Sequence, residues 1–145
     1  MDNVKIKKPK SNLCHCLNIR RASQAVTQFY DKFVVQSGLK LAQFSLLRHL
    51  EISEPVTITE LAKIMQIDRT TLSRNMKPLL KAELIIVNFG EDPRSRQISL
   101  TEKGKTVLES AKNSWGDAQK SLEEYLGDEL YSLEKILSKL ELLKV

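Results

Sequence analysis

The 145-residue sequence predicts a mainly α-helical fold that carries one small β-hairpin. Three observations predict it. Apolar residues recur at intervals of three and four along most of the chain, which is the period of a helix with one buried face. Two short stretches of this kind, 58–65 and 69–84, are separated by only three residues. Directly after them, "LIIVNF" and "RQISL" change to β-branched and alternating character on either side of the loop "GEDPRS", which reads as a hairpin.

The elements follow in order. Met1 to Ser11 is lysine-rich and poor in apolar residues, and reads as a flexible basic tail. From Asn12 a long helix is expected, with Cys16, Ile19, Ala22, Val26, Tyr30 and Phe33 on its apolar stripe and Gly38 ending it. "LAQFSLLRHL" gives a shorter helix, closed by a turn at Ser53, Glu54 and Pro55. Thr57 and Glu60 form an S/T-x-x-E capping box, so the next helix should begin at Ile58 with Leu61, Ile64 and Met65 facing inward. "QID" interrupts it, and Asp68 is placed to cap the helix that follows. There Leu72, Met76, Leu79, Leu80 and Leu84 make the apolar stripe, leaving Arg69, Thr70, Ser73, Arg74, Lys77 and Lys81 on the polar side. Pro78 lacks an amide proton and is expected to bend this helix. In the second strand Ile98 and Leu100 face one way, Gln97 and Ser99 the other. Thr101 caps a long polar-rich helix past Gly116, and Leu126, Leu130, Leu133, Leu137 and Leu140 form a heptad-like seam of about two heptads.

Composition narrows the function. Hydrophobic residues at 41% and charged residues at 28% suit a soluble globular protein rather than a disordered or membrane chain. The basic start is followed by no signal-like apolar segment, so the expected location is the cytoplasm. A net charge of +5 is compatible with a polyanionic partner, although charge alone does not establish one. The sequence lacks a glycine-rich phosphate loop, H-E-x-x-H and G-x-S-x-G, so no catalytic residue and no cofactor is expected and an enzyme is disfavoured.

Helix, turn, helix and then a hairpin with an arginine-bearing tip is the layout of a winged helix-turn-helix. A helix about 10 Å wide enters the major groove, where Arg and Lys read guanine, Asn pairs with adenine and threonine methyls touch thymine. Thr70, Thr71, Arg74, Asn75 and Lys77 supply that chemistry near a helix start, with Arg69 and Ser73 beside them. On the hairpin, Arg94 and Arg96 are long cations able to enter the minor groove, and Asp92 is spaced to orient Arg94. A cationic helix face alone is ordinarily a solvated surface, and a basic hairpin tip an ordinary soluble turn; their order and proximity give the pair its meaning.

"TITELAKIMQIDRTTLSRNMKPLLKAELI" followed by "DPRSRQISLTEKG" resembles the multiple-antibiotic-resistance regulator (MarR) family, whose wing carries D-x-R, a strand and L-T-x-x-G. In this chain those positions are Asp92, Arg94, Leu100, Thr101 and Gly104, and the likeness extends back through "LNIRRASQAVTQFYD". The resemblance implies a dimeric α-rich winged-helix DNA-binding protein, usually a repressor released by a small molecule or oxidant. It places Thr70, Thr71, Arg74 and Asn75 in the major groove and Arg94 in the minor groove. A two-fold dimer would address two half-sites of a pseudo-palindromic operator in double-stranded DNA.

The chain's two cysteines sit together in "LCHC" with one of its two histidines. On a helix Cys14, His15 and Cys16 point about 100° apart in succession, which is poor geometry for one metal ion or for a disulfide, so no metal site is expected. Cys16 on an apolar stripe is by default an inert small hydrophobe. The resemblance adds a second reading, because the hydroperoxide-sensing branch of the family oxidises a cysteine at the position of Cys16 and holds its sulfur with tyrosines. Tyr30 matches one of these, whereas Arg20 and Leu41 stand where that branch has tyrosine. Tyr30 lies about 21 Å along the helix from Cys16, so it would have to come from the other subunit.

The expected organisation is a basic tail over 1–11, an N-terminal dimerisation helix over 12–40, a winged helix-turn-helix over 41–101 and C-terminal dimerisation helices over 102–145. Two modes of release stay open: oxidation at Cys16, with Cys14 secondary and Tyr30 as partner, or a small phenolic or aromatic ligand near His49, Phe44 and Trp115. The rival reading is a winged-helix protein–protein module that binds no DNA, against which the cations of helix and wing argue.

Overall fold

The computed structural model describes residues 14–89, 92 and 95–144. The expected tail and the Arg94 position lie outside the described residues. Among the described residues, six α-helices and a three-stranded antiparallel sheet follow in the order α1 (His15–Val34), α2 (Leu41–Ser53), β1 (Val56–Thr57), α3 (Ile58–Met65), α4 (Arg69–Lys81), β2 (Ile85–Asn88), β3 (Gln97–Leu100), α5 (Glu102–Leu126) and α6 (Leu130–Glu141). None of the described helices is long and apolar enough to cross a membrane.

Local chemistry sets most boundaries. A short 3₁₀ turn, Val35–Ser37, ends α1 against Gly38, whose left-handed φ of 84° suits a residue without Cβ. Asp31 of α1 takes the amide of Leu41 at 2.6 Å, so the first helix caps the second. At α3 the Thr57 hydroxyl accepts the amide of Glu60 at 3.2 Å, the expected start. Asp68 caps α4 twice over, its carboxylate taking the amide of Thr71 at 2.7 Å and its hydroxyl at 3.1 Å. These short contacts hold the Asp68 carboxyl below the usual carboxylate range, chiefly through the Thr71 amide. Between α3 and α4 the tight turn is made by Gln66 at φ 55°, a left-handed residue that carries no glycine signal. Pro78 lies inside α4, which continues through it to Lys81.

The hairpin forms in register, Ile85 opposite Leu100 and Asn88 opposite Gln97. It is not isolated: β1 adds along β3, giving the order β1-β3-β2. Two residues were too short a run to signal that third strand. Glu54 continues the same edge, accepting the amide of Leu100 at 2.7 Å.

One core joins the elements, and it includes Val34, Leu46, Leu47, Leu50, Leu61, Leu72, Leu79, Ile98 and Leu108. It runs across both sequence boundaries expected at 40 and 101, since Val34 and Leu39 enter from one side and Leu108 and Ala111 from the other. Several inward assignments shift by one or two residues. Ala62 is buried in place of Ile64, and Val34 lies deeper than Phe33, because each helix rotates to its nearest packing partner. Leu80 is partly exposed, at the edge of an open groove that it lines together with Ile86, Val87 and Phe89.

The junction of sheet and α5 explains the L-T-x-x-G pattern physically. Leu100 is buried, and the Thr101 hydroxyl accepts the Gly104 amide at 3.0 Å while donating to the Glu83 carbonyl at 2.6 Å. A Cβ on Gly104 would stand 2.0 Å from the Leu84 carbonyl oxygen, so only glycine permits this approach of helix to chain.

Beyond this junction α5, about 37 Å long, packs on α1. Tyr30 is buried between them and its hydroxyl donates to Gln119. The leucine seam is not one continuous helix: a 3₁₀ turn at Gly127–Glu129 separates Leu126 on α5 from the other four on α6. No residue of α6 is buried.

Candidate nucleic-acid interface

The polar side of α4 forms an open groove of about 610 Å³ lined by Arg69, Thr70, Ser73, Arg74 and Lys77. Their spacing of three and four residues places them on one face, while Leu72, Met76 and Leu79 bury the opposite face in the core. None of the salt bridges among the described residues engages Arg69, Arg74 or Lys77. Three cations thus stand in water on a rigid helix, flanked by two hydroxyls that can donate or accept. That is a surface matched to phosphate oxygens and base edges.

Two residues expected at this face are placed differently. Thr71 is half-buried, and its hydroxyl donates to Asp68, so it completes the cap. Asn75 is also half-buried, between the exposed cationic face and the core stripe. Helical rotation of about 100° per residue separates both from the line of Thr70, Ser73 and Lys77.

On the wing, Ser95 donates to the carbonyl of Asp92 through its amide at 2.8 Å and its hydroxyl at 2.6 Å. Arg96 is exposed, and its guanidinium carbon stands 5.0 Å from the centroid of the Phe89 ring. The expected pairing of Asp92 with Arg94 falls on a residue outside the described set.

Cys14 and Cys16 are both exposed free thiols. The first half of α1 is uncovered in this chain, leaving Leu17 and Ile19 exposed as well. Cys14 is not helical. It is the N-cap of α1 with extended backbone, φ −60° and ψ 127°, so the divergence argument for two cysteines on one helix does not apply to the pair. Among the described residues no group of three or more His, Cys, Asp or Glu could hold a metal ion. Tyr30 gives its hydroxyl proton to Gln119 of its own chain rather than to a thiol, and burial followed by the Glu123 charge pushes its phenol above the ordinary range.

Of the residues considered for a ligand crevice, Phe44 is buried and stacks on Trp115, with ring centroids 5.8 Å apart. His49 is half-buried and bonded at Nδ1 to the Ser45 carbonyl at 2.7 Å. They form packed core and helix surface. A separate apolar groove of about 350 Å³ lies between α1 and α5, lined by Ala25, Val26, Phe29, Leu122 and Tyr125. Sequence periodicity did not reveal it, because it arises only where the two helices cross.

Comparison with known proteins agrees with this architecture. Residues 37–96 match the model of the MarR family. The structure of the M. tuberculosis transcriptional regulator MosR in complex with DNA is 34% identical, with a TM-score of 0.79 over 88% of this chain and 93% of that one. The transcriptional repressor CouR, bound to a 23-mer DNA duplex, is 27% identical, with a TM-score of 0.79 over 88% of this chain and 92% of that one. An HTH-type transcriptional regulator of Bacillus cereus is 30% identical over 95 residues, 66% of this chain; the match spans 63% of that regulator's length. These relatives are transcriptional regulators rather than enzymes. The chain therefore belongs to the MarR family of winged-helix transcriptional regulators.

Proposed function

We propose that this chain is a homodimeric, sequence-specific DNA-binding regulator that represses by occupying a pseudo-palindromic operator. The observation that carries the reading is the α4 face, where Arg69, Arg74 and Lys77 project from a doubly capped helix into an open groove. In this reading α4 lies in the major groove, with Thr70 and Arg74 at base edges and Arg69, Ser73 and Lys77 on phosphates, while Thr71 completes the cap at the helix start and Asn75 flanks the cationic face. Arg96, with Arg94 assigned on sequence, reaches the adjacent minor groove from the wing and Asp92 shapes its turn. That the similar MosR and CouR were solved in complex with DNA supports a DNA partner for this chain.

Dimerisation rests on surface that this chain leaves uncovered. Leu17, Ile19 and Val26 of α1 and Ile136 and Leu137 of α6 are exposed at both termini of the fold, a distribution suited to a second copy. Release follows one of two routes: oxidation of the exposed Cys16, with Cys14 beside it, or seating of a phenolic or aromatic ligand between dimer helices and DNA-binding lobe. Either would change the spacing of the two α4 helices so that they miss successive major grooves.

The experiment is fluorescence anisotropy on a duplex from the protein's own promoter, with the protein reduced, peroxide-treated or mixed with phenolic ligands. Tight binding by the reduced protein and loss in one treated arm are expected. Cys16→Ser that still releases fully with peroxide would remove the thiol route, and absence of duplex binding would leave the protein-interaction reading of the fold.

A further inference from the structure

Phe89 is the residue after β2 and is 74% exposed, an unusual place for a phenyl ring on a surface read as meeting nucleic acid. It does not enter the core. Its close neighbour is a cation: the Arg96 guanidinium carbon lies 5.0 Å from the ring centroid. The strand register accounts for the meeting. Val87 stands opposite Ile98 and Asn88 opposite Gln97, so one further step brings Phe89 across from Arg96 at the mouth of the hairpin.

A guanidinium held over an aromatic ring is attracted by the ring's π face and commits no N–H to an acceptor oxygen there. An ion pair would instead occupy those donors. The cation–π contact therefore restrains a long, rotamer-rich side chain while leaving N–H donors for another acceptor.

We propose that Phe89 is a positioning residue for Arg96: the ring holds the guanidinium at the wing mouth so that its N–H edge is presented to nucleic acid before contact. The proposal rests on the DNA-binding reading above and adds to it a residue whose role is exerted through Arg96. Preorganisation of this kind lowers the ordering cost of binding and acts without contact between Phe89 and DNA.

Two measurements test it with Phe89→Leu, Phe89→Trp, Arg96→Ala and the double variant Phe89→Leu/Arg96→Ala. The first is ¹⁵N relaxation of the Arg96 Nε–Hε group in the free protein. Phe89→Leu should raise its mobility, and Phe89→Trp, which keeps a π face, should restore it. The second is duplex affinity, where Phe89→Leu should weaken binding about 2- to 5-fold with Arg96 present and leave it nearly unchanged in the Arg96→Ala background. An equal loss in both backgrounds, or unchanged Arg96 mobility, would overturn the positioning role. Failure of the unmodified protein to bind duplex would overturn the DNA reading instead, while the relaxation measurement still decides whether Phe89 restrains Arg96.

Discussion

Lys112 of α5 donates to Glu51 of α2 at 2.7 Å and to Glu109, one turn back on its own helix, also at 2.7 Å. Arg48 completes the group, 3.0 Å from the other Glu51 oxygen. This cluster ties the helix that leads toward the C-terminal elements to the helix that supports α3 and α4. It is the polar counterpart of the apolar core shared by the same two helices.

The cluster gives a pH dependence. The Lys112 hydrogen bond, with Arg48 beside it, holds the Glu51 carboxyl below the usual carboxylate range. A folded-state pKa below the unfolded one contributes stability that is full above the unfolded value and is lost as pH falls through the folded value. Glu51→Gln should therefore lower the thermal midpoint at neutral pH, and the difference from the unmodified protein should close in acid. Midpoints measured across that range at low and high salt check it, with salt narrowing the gap.

Gly104→Ala should destabilise the fold by about 2 kcal/mol or more, although alanine is the better helix former, because the added Cβ meets a backbone carbonyl that has no rotamer to yield. Urea denaturation measures this. Equal or greater stability would show that α5 can move off Leu84 at little cost.

Asp68→Ala should lower both the thermal midpoint and duplex affinity, since it frees the start of the helix that carries Arg69 and Thr70, and Asp68→Asn should recover most of each. Calorimetry and anisotropy on the same preparations check the pairing of effects.

Tyr30→Phe should cost about 1 kcal/mol by leaving Gln119 without its donor, and should leave any peroxide response of Cys16 unaltered. A lost response with unchanged stability would return Tyr30 to the thiol.

Much of this was legible in sequence because it is local. Capping by Thr57, Asp68 and Thr101, the period of α4 and the alternation of Ile98 and Leu100 each depend on a few neighbouring residues. What was misread depends on crossings. The face of α3 that carries Ala62 and the exposure of Leu80 are decided by which element lies alongside, and periodicity does not name that element. The thiols were read on a helix that begins one residue later than Cys14, at His15. Within the candidate interface the residue types on α4 were plain, whereas the division between an exposed Arg74 and a half-buried Asn75 needed the helix rotation. Phe89 was visible only as an apolar strand residue until the register set it opposite Arg96.

The most direct test of the central claim, that the cationic face of α4 reads DNA, is duplex affinity as a function of salt for the unmodified protein, Lys77→Ala and Arg74→Ala, on promoter and scrambled sequences. The account predicts binding that weakens steeply with salt, a slope shallower by about one in Lys77→Ala with sequence preference kept, and relaxed preference in Arg74→Ala. Salt-insensitive binding, or an unchanged slope and preference in both variants, would contradict it.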